Sequence, residues 1–109
     1  MDWKDKIRQV QGKLAAAGLD GWLLYDFRKS NDLACRFLEI SDEALATRRF
    51  FYWIPQAGEP LKVVHRIEPR LLDHLPGESL LYSSWGELEE RVETVLKGAK
   101  VVCMEYSPR

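Results

Sequence analysis

The spacing of apolar residues predicts a helix at the start of the chain and a strand directly after it. Asp2 is suited to cap the helix and Gly18 to end it, because glycine accepts the left-handed conformation of a helix stop. Apolar side chains recur every three or four positions on one face of this helix: Trp3, Ile7, Val10, Leu14 and Ala17. The short apolar run at 21–25 is typical of a strand buried on both faces.

A hairpin is the clearest short-range signal in the sequence. Residues 48–54 predict a strand that Pro55 ends, 56–60 a turn containing Gly and Pro, and 61–65 the return strand. Side chains alternate along a strand, so apolar residues point to both faces: Phe51 and Trp53 to one, and Phe50, Tyr52 and Ile54 to the other. We therefore expect either that helices cover both faces or that one face meets another domain.

Weaker patterns flank this hairpin. Short helices are predicted at 31–38, capped by Asn31, and at 68–75, with Leu71, Leu72 and Leu75 turned inward, and a weak strand is predicted at 79–82. The alternation of helices and strands around a hairpin indicates an α/β fold, a mixed β-sheet with helices packed on it.

A capping box of Ser84 and Glu87 predicts the start of the last helix, which runs to Lys97 and stops at Gly98. Its predicted inner face consists of Trp85, Leu88, Val92, Val95 and Leu96. Residues 100–105 predict a final strand. Trp3, Trp22 and Trp85 lie at predicted core positions, whereas Trp53 suits either the core or an interface.

Composition narrows the class of protein. The chain has 109 residues, a formal net charge of -1 and two cysteines, which suits one domain with free thiols in a reducing, cytoplasmic compartment. Nucleic-acid binding is not expected without a basic face, and no apolar run approaches the ~20 residues of a membrane span.

Candidate chemistry is sparse. The histidines His65 and His74 stand in no zinc or protease motif, and the sequence has no phosphate-binding loop. We therefore predict no catalytic residue, metal ligand or cofactor in this chain. The pair Arg48–Arg49 opens the hairpin; it is either a strand end that meets water or a site for an anionic partner, such as a substrate carboxylate or an acidic patch.

Several segments together resemble the N-terminal domain of the creatinase/prolidase family, which contains the Xaa-Pro aminopeptidases and prolidases. They occur in family order over nearly the whole chain: GWLLYDFRKSN at 21–31, RRFFYWIP at 48–55, GEP at 58–60, VHRIE at 64–68 and MEYSP at 104–108. Each segment is moderately specific, and their conjunction is much more specific.

The resemblance implies a ribonuclease H-like N-terminal domain of a two-domain hydrolase. The parent would carry a catalytic pita-bread domain with two divalent metal ions (Mn, Co or Zn) and would cleave proline-containing peptides as an aminopeptidase or dipeptidase. Residues 1–109 would then be a domain cut short at its C-terminal end, without that catalytic domain. Its expected partners are its own C-terminal catalytic domain and further copies in a homodimer or higher oligomer.

The same resemblance places the loop after the first strand near a partner subunit's active site. On this basis the residues expected to contact substrate or the catalytic domain are Arg28, Ser30, Asn31 and Arg48. Two alternatives stay open: a stand-alone α/β binding or interaction module, and a domain of a non-catalytic family member.

Overall fold

A computed structural model describes residues 3–26, 36–38, 49–67, 70–100 and 102–105. The helices and strands with described bounds are, in chain order, α1 (Trp3–Ala17), β1 (Gly21–Asp26), β2 (Phe50–Pro55), β3 (Leu61–His65), β4 (Glu78–Tyr82), α2 (Trp85–Leu96) and β5 (Val102–Glu105). Here α2 corresponds to the helix predicted from the capping box.

The five strands form one mixed sheet in the order β4-β3-β2-β1-β5. β2 is antiparallel to both of its neighbours, and its register with β1 places Trp22 opposite Ile54. β5 runs parallel to β1, and β4 runs parallel to β3. Hence β1, β3, β4 and β5 all point one way, and β2 alone points the other way. The predicted mixed sheet is confirmed.

Apolar residues on both faces of the sheet build two separate cores. On one face α1 contributes Ile7 and Leu14 to a cluster that includes sheet residues Leu24, Phe50, Tyr52, Ile54 and Val64. On the other face α2 contributes Leu88 and Val95 to a cluster with Leu23, Phe51, Trp53, Val63 and Tyr82. Of the two alternatives left open for the hairpin, helices on both faces or one face against another domain, the structure shows the first.

The contact between β1 and β2 requires a residue without a side chain at position 21. Gly21 pairs with Pro55 across the ladder, and a Cβ atom built on it would overlap the indole ring of Trp53. Trp53 is only 5% exposed. The possibility that Trp53 serves an interface is therefore wrong for this structure, because its ring fills space over Gly21 in the core.

Glycines end both helices as expected. Gly18 has a φ of 72°, and the amide of Leu19 donates to the carbonyl of Leu14 at 2.9 Å, a bond that closes the last turn of α1. Gly98 has a φ of 84° just beyond α2. These stops let β1 follow α1 after three residues, so the helix folds back onto the strand.

Two local predictions need correction. Over 70–77 the chain forms consecutive turns instead of the predicted helix, with the amide of Leu75 donating to Leu72 O at 3.0 Å; Leu72 and Leu75 are nevertheless buried as expected. Trp85, at the first position of α2, is 60% exposed and does not join the core; its ring lies 4.9 Å from the Arg49 guanidinium carbon. The helix predicted at 31–38 lies outside the described residues except for 36–38.

We predict that Gly21→Ala lowers the free energy of unfolding by about 1–3 kcal/mol, the usual effect of overpacking a tight contact. Urea denaturation of the purified chain measures this change. Gly12→Ala is the matched control: a Cβ at Gly12 meets nothing within 4 Å, and alanine favours a helix interior by up to ~1 kcal/mol. Equal effects at the two glycines would contradict the packing described for Trp53.

The two tryptophans at opposite extremes of burial give a second prediction. Trp53→Ala, like Phe51→Ala, should cost about 3–5 kcal/mol of unfolding free energy because it empties a buried site. Trp85→Ala should cost less than ~1 kcal/mol, because it removes mainly an exposed cation–π contact. Urea titrations of the three variants under one buffer check the order, and a larger loss at Trp85 than at Trp53 would contradict it.

Candidate functional site at the carboxyl edge of the sheet

Four strands end at the same edge of the sheet. Because β1, β3, β4 and β5 are mutually parallel, their last residues, Asp26, His65, Tyr82 and Glu105, lie along one edge, and β2 begins there. Ligands of open α/β sheets collect at such carboxyl ends, where loops leave the strands. We call this region the carboxyl edge.

The side chain of Arg49, directly before β2, is the centre of the described part of this edge. Its Nε donates to the hydroxyl of Tyr25 on β1 at 2.9 Å. Its guanidinium carbon lies 4.9 Å from the centre of the Trp85 ring at the start of α2. The hydroxyl of Tyr82, the last residue of β4, donates to the backbone carbonyl of Arg49. Three elements therefore hold one arginine.

The N-terminus of α2 fixes the position of Trp85. The hydroxyl of Ser84 accepts from the amide of Glu87 at 3.2 Å, as the capping box predicts. The Glu87 carboxylate, however, accepts from the amide of Ser83 at 2.9 Å and from its hydroxyl at 2.6 Å, one residue earlier than expected. These bonds to Ser83 lower the pKa of Glu87. Arg91 adds a bond from its Nε to Leu81 O at 3.1 Å, which fastens α2 to β4.

The β3 end of the carboxyl edge combines an imidazole with exposed residues. His65 Nδ1 accepts from the amide of Ile67 at 3.1 Å, and its ring meets the ring of Tyr82 edge to face at 5.0 Å. The amide of Arg66 donates to Tyr82 O at 2.9 Å, which continues the β3–β4 pairing past the last strand residues. Ile67 is 61% exposed, so large apolar surface is accessible here as well as at Trp85.

The residues predicted to contact substrate, Arg28, Ser30, Asn31 and Arg48, all lie outside the described residues. Their roles stay predictions. The described neighbours of these segments are Asp26, the last residue of β1, and Arg49, and both lie at the carboxyl edge. The arrangement of Arg49 with Tyr25 and Trp85 was not predicted. The Arg48–Arg49 pair was the available signal, but sequence spacing gave no means of pairing it with Trp85.

Within the part of the chain that the structure describes, no three His, Cys, Asp or Glu side chains come together in a metal-binding group. His65 and His74 occupy different surroundings: His74 Nε2 lies 2.6 Å from the carbonyl of Leu38, and its ring packs on Trp3. Among the same described residues, no helix is long and apolar enough to cross a membrane.

Other ionisable groups lie away from the carboxyl edge, within the sheet. The Tyr52 hydroxyl donates to Pro76 O at 2.7 Å, and burial, reinforced by the charge of Glu59, raises the pKa of this phenol well above its ordinary value. Lys62, opposite Tyr52 in the ladder, is 5% exposed. Burial lowers its pKa, and the charge of Asp73 partly opposes that shift.

A cavity of about 220 Å³ lies at the other end of the strands, next to the β2–β3 turn. Its lining residues come from α1, the turn and the segment before β4: Lys4, Ile7, Arg8, Gln11, Gly58, Glu59, Pro60 and Pro76. The Gln11 amide already donates to Pro55 O and Gly58 O, at 3.0 and 2.9 Å, and so fastens the turn to α1. This region contributes to packing of the hairpin and is separate from the carboxyl edge.

Solved structures define the class to which this fold belongs. No protein-family model matches the chain, and no curated protein matches it by sequence. In fold, the chain is similar to the N-terminal domain of an Xaa-Pro dipeptidase from Lactobacillus brevis, with a TM-score of 0.64, 12% identity, and coverage of 92% of this chain and 75% of that one.

A prolidase from Thermococcus sibiricus shows the same likeness, with a TM-score of 0.72 and 17% identity. The match covers 98% of this chain and 34% of the prolidase, so this chain spans about a third of that protein's length. The resemblance noted in the sequence is thus confirmed at the level of the fold, that of the N-terminal domain of Xaa-Pro dipeptidases.

The lowered pKa of Glu87 gives a prediction for acid stability. A carboxylate with a depressed pKa stabilises the folded state above its unfolded pKa, near ~4.3, and this contribution is lost as pH falls through the folded pKa. We expect Glu87→Gln to lower the free energy of unfolding at pH 7, with a difference from wild type that shrinks below about pH 4.

Urea titrations at several pH values from about 2.5 to about 7 measure this difference. That range extends to both sides of the glutamate pKa, near ~4.3. Glu90→Gln removes the same charge from an exposed position on α2 without the Ser83 contacts, and serves as the control. A Glu87→Gln difference that does not change with pH would contradict the role given to the charge.

Proposed function

We propose that this chain is the non-catalytic N-terminal domain of a metal-dependent Xaa-Pro peptidase, where it contributes to oligomerisation and helps to shape the substrate site. The observation that carries this proposal is the fold likeness over 98% of the chain to a prolidase of which the chain spans 34%. The match to an isolated N-terminal domain of an Xaa-Pro dipeptidase supports the same assignment.

The proposal assigns the metal ions to a different domain. In the described ranges no trio of metal-ligating side chains is assembled. A dinuclear hydrolytic centre needs several carboxylate and imidazole ligands around its metal ions. In the proposed protein, a C-terminal catalytic domain supplies those ligands to Mn, Co or Zn ions, in a cytoplasmic enzyme that acts on proline-containing peptides. The N-terminal sheet is then of the ribonuclease H-like type.

The carboxyl edge is the surface by which the domain would act on the substrate site. It combines a held cation, Arg49, with exposed apolar surface at Trp85 and Ile67. The loop that begins after Asp26 starts from this same edge. In our proposal this loop reaches a partner subunit's active site, where Arg28, Ser30, Asn31 and Arg48 contact substrate or the catalytic domain.

The proposal is tested by reading the gene beyond codon 109 and assaying its complete product. We expect a downstream domain with two Asp, one His and two Glu as metal ligands, and hydrolysis of alanyl-proline or of a longer Xaa-Pro peptide with Mn, Co or Zn. We also expect a homodimer or larger assembly in analytical ultracentrifugation. A reading frame without those ligands, in a product that binds proteins but cleaves no peptide, would instead favour an interaction module or a non-catalytic member.

Arg28 offers a prediction for the loop. If it supplies a cation to a carboxylate of the substrate or of the catalytic domain, Arg28→Ala in the complete product should reduce kcat/KM on an Xaa-Pro substrate by roughly ten- to hundredfold. Arg8→Ala, at an exposed position of α1, is the control. The melting temperature and assembly state of each variant are measured beside the kinetics. A kcat/KM within about twofold of wild type would remove Arg28 from the site.

A further inference from the structure

At one end of the described sheet lies β4, a strand that pairs with β3 alone among the described strands. We propose that the side chain of Arg91 covers the outer edge of β4 and prevents the β4 strand of a second copy of the chain from pairing with it. This inference goes beyond the proposed function, because the peptidase proposal does not use this edge. It implies that any homo-oligomer of the protein forms through a different surface.

The first step concerns the direction of the backbone groups of β4. The strand runs parallel to β3, with His65 opposite Tyr82. The amide of Arg66 donates to the carbonyl of Tyr82 at 2.9 Å, so the backbone groups of Tyr82 are directed to β3. Successive residues of a strand direct their amide and carbonyl groups to opposite sides. The backbone groups of Leu81, and likewise those of Ser79, are therefore directed to the outer edge.

The second step concerns the sequence of β4 itself. Edge strands in native proteins avoid pairing with other chains through prolines, charged residues within the strand, or bulges. Residues 79–82 contain neither a charged residue nor a proline, and the register with β3 advances without a bulge over Glu78–Tyr82. Leu80 and Leu81 are only half-buried. The strand by itself therefore has little that would prevent another strand from pairing with it.

The third step concerns Arg91, a half-buried residue of α2. Its Nε donates at 3.1 Å to the carbonyl of Leu81, one of the backbone groups directed to the outer edge. The helix packs on one face of the sheet, where Leu88 joins Tyr82 and Leu80 in a core, so the arginine reaches the edge from the helix side. This contact supplies the charged group that β4 lacks.

The fourth step identifies the partner that this contact excludes. Two copies of β4 can pair antiparallel about a twofold axis with Leu80 opposite its own copy. Ser79 of each copy then lies opposite Leu81 of the other, and opposed residues of this kind exchange a pair of hydrogen bonds. The Ser79 amide would have to donate to the same Leu81 oxygen that accepts from Arg91. The guanidinium therefore lies where the second strand must approach. The same register keeps the two copies of Glu78 apart, so β4 is otherwise suited to pair with itself.

The test measures self-association of the purified chain by sedimentation velocity over a range of concentrations. Arg91→Ala should lower the dimer dissociation constant by at least about tenfold relative to wild type, because it frees the Leu81 carbonyl for pairing. Lys97→Ala is the matched control: it removes the same charge from an exposed position next to the end of α2. This control should leave the dissociation constant within about twofold of wild type. As the Arg91→Ala dimer forms, the amides of Ser79 and Leu81 should exchange more slowly with deuterium.

A second substitution shows whether the association uses β4. Ser79→Pro removes the outward amide and leaves the bonds to β3 in place, so the double variant with Arg91→Ala should associate no more than wild type. Association that persists in the double variant would overturn the proposal, as would an Arg91→Ala chain that dimerises no more than wild type. Wild-type association that Ser79→Pro abolishes would overturn it too. If Arg91→Ala does not fold, Arg91→Met replaces it, because methionine keeps an apolar stem without the donor. The test uses no substrate, so its result is independent of any peptidase activity.

Discussion

Burial of the central strands on both faces is the constraint on which the rest of this structure depends. Leu23 and Leu24, adjacent on β1, enter different cores, as do Phe51 and Tyr52 on β2. A sheet of this kind needs a helix on each side, so α1 and α2 must cross opposite faces. The β1–β2 pair is also tightly packed, because only a glycine at position 21 leaves space for the Trp53 ring. Removal of these apolar surfaces from water supplies most of the stabilisation of the domain.

The same constraint directs function to the ends of the strands. With both faces of the central strands covered, accessible polar and charged groups collect at the strand ends, and four strands end together at the carboxyl edge. The β2–β3 turn at the opposite end is occupied by the contacts of Gln11 with Pro55 and Gly58. The edge that remains carries Arg49, Trp85 and Ile67, residues whose exposure or charge the packing of the cores does not require.

The sequence predicted those parts of the fold that follow from local periodicity. The β2–β3 hairpin, the return strand at 61–65, the two faces of β2 and the glycine stops all have short-range causes, and the structure confirms them. The burial of Trp85 and of Lys62 could not be predicted from the sequence, because it depends on long-range packing. Trp85 has helical spacing for the core, yet is 60% exposed and contacts Arg49, and Lys62 is buried despite its charge. Most of the candidate site depends on pairings such as Arg49 with Tyr25, which no spacing along the chain reveals.

The proposal that this structure makes most open to test is that the carboxyl edge, and not the turn end of the sheet, faces the substrate and the catalytic domain. Hydrogen–deuterium exchange on the complete gene product, with and without alanyl-proline, measures this directly. We expect the peptide to slow amide exchange in the segments around Arg49 and 82–87, while the turn at 56–60 exchanges at an unchanged rate. Slower exchange confined to the turn and the first two turns of α1, with none at the carboxyl edge, would contradict it.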